Sequence, residues 1–313
     1  MTIEISVVIC TLDRVDLVRS AVESLTAQTL APSRFEVLVV DNSAEGVARS
    51  ALADLVAGMP ALRLLHEPTP GLSHARNRGT EAATGEVVLF MDDDAVAEPG
   101  LLEAHLAAFS SRPAPAATGG RILLRWPTQP PAWMPPSLAS YYSGLDLGDE
   151  LHPLVFPEYP YGVNMAVRRA LLLELGGFST ELGRRGTNLI SGEERDLFRR
   201  VAEVDGLVLY VPDAVAHHCV LPERVSRRWF LRRSWAQGRS DITLGVLARG
   251  RPAQGRIAAR AGLHLLRAGR PLVIALGYIL VPGAAGQRMR SASQTVRWLG
   301  AAREGLALLR RPS

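Results

Sequence analysis

The chain has 313 residues, 47% of them hydrophobic, enough to bury a sizeable core as one large domain or one domain with an appendage, and this composition argues against a disordered chain. All 35 basic residues are arginine, and the absence of lysine excludes a P-loop lysine and any Schiff base with a carbonyl substrate or pyridoxal phosphate. The net charge of +4 conceals an acidic body and a basic tail: residues 1–223 carry 17 Arg and 29 Asp/Glu, net −12, whereas residues 224–313 carry 18 Arg with only Asp241 and Glu304, net +16.

Other familiar chemistries lose support as well. The patterns GxGxxG, HExxH and GxSxG do not occur, which removes a dinucleotide fingerprint, a zincin and a nucleophile elbow. Cys10 and Cys219 lie far apart and outside metal-ligand spacing, so they read as buried thiols of a reducing compartment rather than as a disulfide framework. The opening MTIEISVVIC has no basic segment and carries Glu4 within its apolar run; it is not read as a signal peptide, and the expected location is cytoplasmic.

In chain order, Ile5 to Cys10 is a continuous apolar run, as expected of a strand buried on both faces of a parallel sheet. Asp13 is placed to cap a following helix, in which Val15, Val18, Val22 and Leu25 recur at helical spacing toward Gln28. Phe35 to Val40 repeats the strand signal, a helix is expected over Ala44 to Ala57, and a strand near Leu62 to Leu65. Ser73 is expected to cap a helix reaching about Ala83, and Glu86 to Met91 gives a fourth strand. This β-α-β-α alternation implies a mostly parallel sheet with helices on both faces. The segment WPTQPPAWMPP, 126–136, reads as a long loop, either a linker or, through its tryptophans, an acceptor platform or lid. A helix-like stretch over Val163 to Leu175 and a clear helical pattern over Ser191 to Val204 follow, and beyond Arg224 apolar and arginine-rich segments alternate to the end.

Ligands of such sheets bind beyond the carboxyl ends of the strands. Thr11 and Asp13 follow the first strand, Asp41 and Asn42 the second, and Asp92, Asp93 and Asp94 the fourth. Crowded carboxylates repel one another and need a compensating cation, and hard ions such as Mg²⁺ or Mn²⁺ prefer these oxygens, although an acidic turn before Pro99 accounts for the triplet equally well. A second acidic string, Ser191-Gly192-Glu193-Glu194-Arg195-Asp196, opens a helix, where carboxylates also serve simply as partners of the helix dipole. His217 and His218 lie in a strand after Pro212 and point to opposite faces, so at most one of them meets an ion at the strand end.

Taken together and in order, VVICTLDR, VVDNS, GLSHARNRG, FMDDD, GVNMAVRR, GGFSTELG, GEERDL and the histidine before the arginine-rich segment resemble the large family-2 glycosyltransferases with the GT-A fold, over residues 4 to about 240. The resemblance implies an α/β, GT-A-like fold with a mostly parallel Rossmann-type sheet, flanking helices and a basic helical C-terminal extension. Residues 1–223 would be the catalytic domain, with a nucleotide-sugar half over about 1–120 and an acceptor half over about 121–223. Residues 224–313 would be the helical extension. It also implies an inverting transfer of a sugar from a UDP-, GDP- or dTDP-linked donor to a hydroxyl acceptor, with Mn²⁺ or Mg²⁺ as cofactor. By the same resemblance Thr11, Asp41 and Arg76 hold the donor's base and ribose; Asp13 and Asp93 are grouped with the donor site; Asp92 orients the donor. Asp94 is the direct metal ligand, and His218, with His217 as the alternative, meets the metal or pyrophosphate. Glu194 is the general base with Glu193 as its competitor, and Trp133 and Asn164 line the acceptor side, a helix cap being the other reading of Asn164.

In the tail, Arg227, Arg228, Arg232 and Arg233 flank Trp229, Phe230 and Trp235. Without a recognition fold, nucleic acid is not expected; an anionic membrane surface at the inner face, or a helical layer over the core, is. The longest uncharged run of the tail, 271–287, has 17 residues and contains Pro271 and Pro282, short of the roughly 20 apolar residues of a spanning helix. A nucleotidyltransferase and a non-catalytic nucleotide-sugar or membrane-binding module stand as alternatives to the transferase.

Overall fold

The computed structural model describes residues 2–46, 48–186, 189–250, 254–278, 281 and 283–310. The elements in order are β1 (Ile5–Thr11), α1 (Val15–Thr26), β2 (Phe35–Asp41), α2 (Ala48–Ala51), α3 (Ala53–Gly58), β3 (Leu62–His66), α4 (Leu72–Ala82), β4 (Val87–Asp92), β5 (Ala95–Ala97), α5 (Leu101–Phe109), β6 (Ala117–Arg125), β7 (His152–Pro153), β8 (Met165–Arg168), α6 (Arg169–Glu174), α7 (Glu193–Glu203), β9 (Val208–Cys219), α8 (Arg227–Arg249), α9 (Gln254–Gly277) and α10 (Ala285–Arg310). They divide into two compact units, one of Met1–Arg125, Ser143–Glu181 and Glu193–Cys219, the other of Trp126–Tyr142, Leu182–Gly192 and Val220–Ser313.

The first unit is a sheet in the order β3-β2-β1-β4-β8-β6-β9-β5, with β7 added against β9. The block β3-β2-β1-β4 is wholly parallel, as expected where β1, β2 and β4 are buried on both faces, with the edge strand β3 partly exposed. Alternate residues serve opposite cores. Ile5, Val7 and Ile9 pack with Val18, Val22 and Leu25 of α1 on one face, while Val8, Leu38 and Val40 pack with Ala75 of α4 and with Leu197, Phe198 and Val201 of α7 on the other. Beyond β4 the sheet becomes mixed: β8 runs antiparallel to both β4 and β6, and β5 antiparallel to β9.

Several sequence expectations are corrected. The helix expected over Ala44 to Ala57 is two short ones, and α4 starts from Gly71, at φ 143°, with Ser73 inside the helix rather than at its cap. Asp13, at φ 54° and exposed, does not cap α1, whose N-cap is Arg14 without a side-chain bond. The helix-like stretch from Val163 begins as strand β8, because Met165 and Val167 pair with β4 and β6, and turns helical only at Arg169.

Asn164 is neither a helix cap nor an acceptor contact. It is 1% exposed; its Oδ1 accepts from His105 Nε2 at 2.9 Å, and its Nδ2 donates to the carbonyls of Arg121 at 3.1 Å and Ala214 at 2.8 Å. His105 is in turn bonded to Thr118 Oγ1 through Nδ1 at 2.8 Å, and burial pulls its pKa down to about 4, so the ring is neutral. This clamp ties α5, β6 and β9 at the one stretch where the β6–β9 register shifts, between Gly120 and Arg121.

In the second unit α10 packs on both α8 and α9. A side chain at Gly238 would overlap the Arg297 carbonyl, and one at Gly300 would overlap the Trp235 carbonyl, so glycine permits the close approach of α8 and α10. The two acids of the tail hold the same pair together, Arg239 Nε to Glu304 Oε2 at 2.7 Å and Arg297 Nη2 to Asp241 Oδ2 at 2.8 Å. Within this unit Trp133 is buried and its ring lies 5.8 Å from that of Phe230, so it is core and not the exposed acceptor platform the sequence suggested. No helix among the described residues is long and apolar enough to cross a membrane; Pro282 of the uncharged run lies outside them.

Replacing Asn164 with Ala leaves His105 and two buried carbonyls unsatisfied, each worth about 1–3 kcal/mol. Urea unfolding of Asn164→Ala should show a loss of roughly 2–4 kcal/mol; a loss below about 0.5 kcal/mol, the usual size of a surface substitution, would contradict the clamp.

Candidate active site

β1, β2 and β4 end side by side, with Thr11 opposite Asp41 and Cys10 opposite Asp92, so their carboxyl-end residues gather at one edge. After Asp92 the chain turns directly into β5, whose antiparallel ladder with β9 sets Ala95 against His218, and the Asp94 carbonyl accepts from the Cys219 amide at 2.8 Å. His218 Nε2 therefore lies 3.1 Å from Asp94 Oδ1. Asp92, Asp94 and His218 each offer an atom within 4.8 Å of the others, a two-carboxylate, one-imidazole set that suits Mn²⁺ or Mg²⁺. His217 faces away and bonds Glu98 Oε1 through Nε2 at 2.7 Å, which removes it from this cluster.

Two arginines distribute the acidic charge. Arg14 Nη1 lies 3.1 Å from Asp93 Oδ1 and 3.1 Å from Asp94 Oδ2, and Thr11 Oγ1 donates to Asp93 Oδ2 at 2.9 Å. Burial pushes the Asp93 acid up to about 7 even with Arg14 opposing it. Arg76, 2% exposed, reaches Glu193 Oε1 at 3.1 Å through Nη1, and through one nitrogen, Nη2, reaches both Asp92 Oδ1 and Glu194 Oε1 at 3.3 Å. Burial opposes its charge, but Glu194, Glu193 and Asp92 together raise its pKa. Its guanidinium carbon lies 5.3 Å from the centre of the Phe178 ring and 6.0 Å from that of Phe90.

At the start of α7 the two glutamates differ. The Glu193 side chain is 3% exposed, with Oε2 lacking a hydrogen-bond partner, whereas the Glu194 side chain is 19% exposed and accepts from the Gly162 amide at 2.9 Å through Oε1. Burial, with the Glu193 charge beside it, pushes the Glu194 acid up to about 7. Asp196 is spent inside the helix on Arg199 and Arg200, each at 3.0 Å.

The expected donor contacts are arranged differently from one another. Asp41 turns inward, accepting from the amides of Ser43 at 2.9 Å and Ala48 at 2.7 Å, and Asn42 fastens the 67–71 loop through Glu67, Thr69 and Gly71. Asp13 stands exposed at the loop tip, and Trp133 and Asn164, both placed above, belong to packing. Sequence reasoning missed Arg14 and Gly162. Arg14 carried a signal, a lone cation in the loop after β1; Gly162 carried none.

The profile of glycosyl transferase family 2 matches residues 6–159. A glucosyl-dolichyl phosphate glucuronosyltransferase of Haloferax volcanii is 30% identical over 251 residues, covering 78% of this chain and 78% of its own. The chain belongs to glycosyl transferase family 2. The succinoglycan biosynthesis protein ExoM of Rhizobium meliloti is 28% identical over 242 residues, 76% of this glycosyltransferase and 74% of its own chain. A mannosyltransferase of Pyrobaculum calidifontis, solved with GDP-Man and Mn²⁺, superposes with a TM-score of 0.63 at 20% identity over 97% of this chain and 87% of that one, which shows the GT-A fold.

A Cβ at Gly162 would overlap both Arg76 Nη2 and Glu194 Oε1. Gly162→Ala should therefore cut the glycosyltransferase's kcat/KM by about 10²-fold, since displacing a positioned group by an ångström costs that order; a rate within threefold of wild type in a correctly folded variant would show that this packing is not needed.

Proposed function

We propose that this glycosyltransferase moves a sugar, with inversion, from a nucleoside-diphosphate donor of the UDP, GDP or dTDP class to a hydroxyl of a glycan or lipid-linked acceptor, and that it requires a divalent cation. The observation that carries the reading is the single Arg76 nitrogen in contact with both Asp92, of the candidate metal set, and Glu194, a half-buried carboxylate whose pKa sits near the operating range of a base. Asp92, Asp94 and His218 would hold Mn²⁺ or Mg²⁺, which when bound offsets the negative charge on the departing nucleoside diphosphate. Glu194 takes the proton of the acceptor hydroxyl at Oε1 or Oε2 as that oxygen attacks the anomeric carbon. No covalent sugar–enzyme bond forms. Glu193, more deeply buried and held by Arg76, supports the arrangement and is second choice for the base. Asp93 and Thr11 keep the turn that presents Asp94 in shape.

The ordered GT-A motifs and the Mn²⁺ in the Pyrobaculum structure support the metal dependence; the Haloferax relative, named for a glucosyl-dolichyl phosphate, supports a lipid-linked acceptor. Contact with an anionic membrane surface is supported by α9, where Leu266 is 78% and Val273 69% exposed, with Leu265 and Leu276 also exposed. Arg256, Arg260, Arg267 and Arg270 stand exposed on the same helix, and it carries no acid.

Three outcomes check the proposal. Thermal shift against a panel of nucleotide sugars should give stabilisation by one donor only with Mn²⁺, and turnover should release its nucleoside diphosphate. Asp94→Ala should lose the Mn²⁺ effect, and stabilisation that ignores the metal would refute this site. Because a base acts unprotonated and Glu194 titrates near 7, kcat/KM should rise with pH and level off above about 7, falling about tenfold per unit below it; a flat profile from about pH 5.5 to 8 would exclude Glu194. Finally, the protein should float with vesicles containing anionic phosphatidylglycerol but not with pure phosphatidylcholine, and Leu266→Glu with Val273→Glu should abolish flotation. Indifference to lipid charge or to these changes would remove the membrane partner.

A further inference from the structure

The second unit holds a cavity of about 450 Å³ along α8 that the transfer chemistry does not use. Its α8 wall is formed by Arg228, Leu231, Arg232, Trp235 and Arg239, at positions i, i+3, i+4, i+7 and i+11 of one helical face, and Val296 of α10 closes another side. Arg239 is committed to Glu304 at 2.7 Å. Arg228 and Arg232, one turn apart and both exposed, have no ion-pair partner among the described residues, and no carboxylate is among the residues lining the cavity. The cavity thus combines two uncommitted guanidinium groups with an apolar wall of an indole, a leucine and a valine, in a volume typical of small-molecule sites, about 300–1,000 Å³.

We propose that this cavity binds the phosphate head of an amphiphile, with the phosphate on Arg228 and Arg232 and the first carbons of its chain against Leu231, Trp235 and Val296. Two guanidinium forks match the charge of a phosphate monoester, about −1.5 to −2 at neutral pH, and its geometry, which arginine grips in bidentate fashion. Inorganic phosphate satisfies the arginines but leaves the apolar wall wet, and an uncharged lipid does the reverse. An amphiphilic phosphate satisfies both. An anionic phosphate on an apolar chain is offered by a lipid-phosphate sugar carrier, as a monoester, and by the headgroup of a bilayer lipid, as a diester with a single negative charge. The inference deepens the lipid-linked part of the proposed function; the titration that decides it needs neither turnover nor a bilayer, vesicles entering only to tell the two sources apart, so its failure is separable from failure of either.

Decyl phosphate below its micelle threshold is titrated into the full-length protein by calorimetry, with inorganic phosphate and decanol as controls. Decyl phosphate should bind at least tenfold more tightly than either control. Arg228→Gln with Arg232→Gln should weaken it at least tenfold, while Leu266→Glu with Val273→Glu on α9 should leave it unchanged. Anionic vesicles that compete decyl phosphate off the protein, with the α9 variant competing equally well, would assign the site to bilayer lipid; a soluble short-chain prenyl diphosphate that competes when vesicles do not would assign it to a carrier. Either result supports the cavity. Equal affinity in the double-arginine variant, or decyl phosphate no tighter than inorganic phosphate, overturns it.

Discussion

The buried guanidinium of Arg76 is the interaction on which the catalytic unit depends. Asp92 from the end of β4 and Glu193 and Glu194 from the start of α7 all reach it, at 3.1–3.3 Å, from parts of the chain about a hundred residues apart. Three carboxylates would not crowd together unless a cation sat among them, and the planar fork of an arginine, always charged, reaches all three with one side chain. The rings of Phe90 and Phe178, edge to face at 5.0 Å, border the guanidinium and keep it from following its partners into solvent. The N-terminus of α7 adds its own partial positive charge to the same glutamates.

A second arginine repeats the solution next door. Arg14 sits between Asp93 and Asp94, so the acidic triplet is divided among Arg76, Arg14 and the candidate metal set. The cost of gathering carboxylates is thus met by residues rather than by the ion alone, and the unpaired second oxygen of Glu193 marks where that compensation is incomplete. The tail uses the opposite arrangement. There the scarce groups are acids, and both Asp241 and Glu304 go to clamp α8 against α10.

The strands β1, β2 and β4 were legible in the sequence because their apolar runs are unbroken and each ends in the polar residues of the site, and the helical period of α1 and α7 was equally plain. What carried Asp92, Asp94 and His218 to specific roles was the ordered resemblance, not spacing: their meeting depends on β5, three residues long, a pairing no periodicity reveals. Trp133 and Asn164 misled for a common reason. Both are residue types that serve binding and packing alike, and only the Phe230 ring beside one and the three internal hydrogen bonds of the other decide between them. Arg76, Glu193 and Glu194 were each singled out, but not as partners of one another, because contacts between residues 117 and 118 positions apart leave no trace in local pattern.

The central claim is that Glu194 takes the acceptor proton while the donor is held elsewhere, and it is tested most directly by Glu194→Gln. The account predicts that the variant retains Mn²⁺-dependent donor affinity within about twofold while transfer falls by about 10²–10⁴, the range general-base catalysis contributes. Transfer within tenfold of wild type, or a donor affinity lost together with the rate, would contradict it.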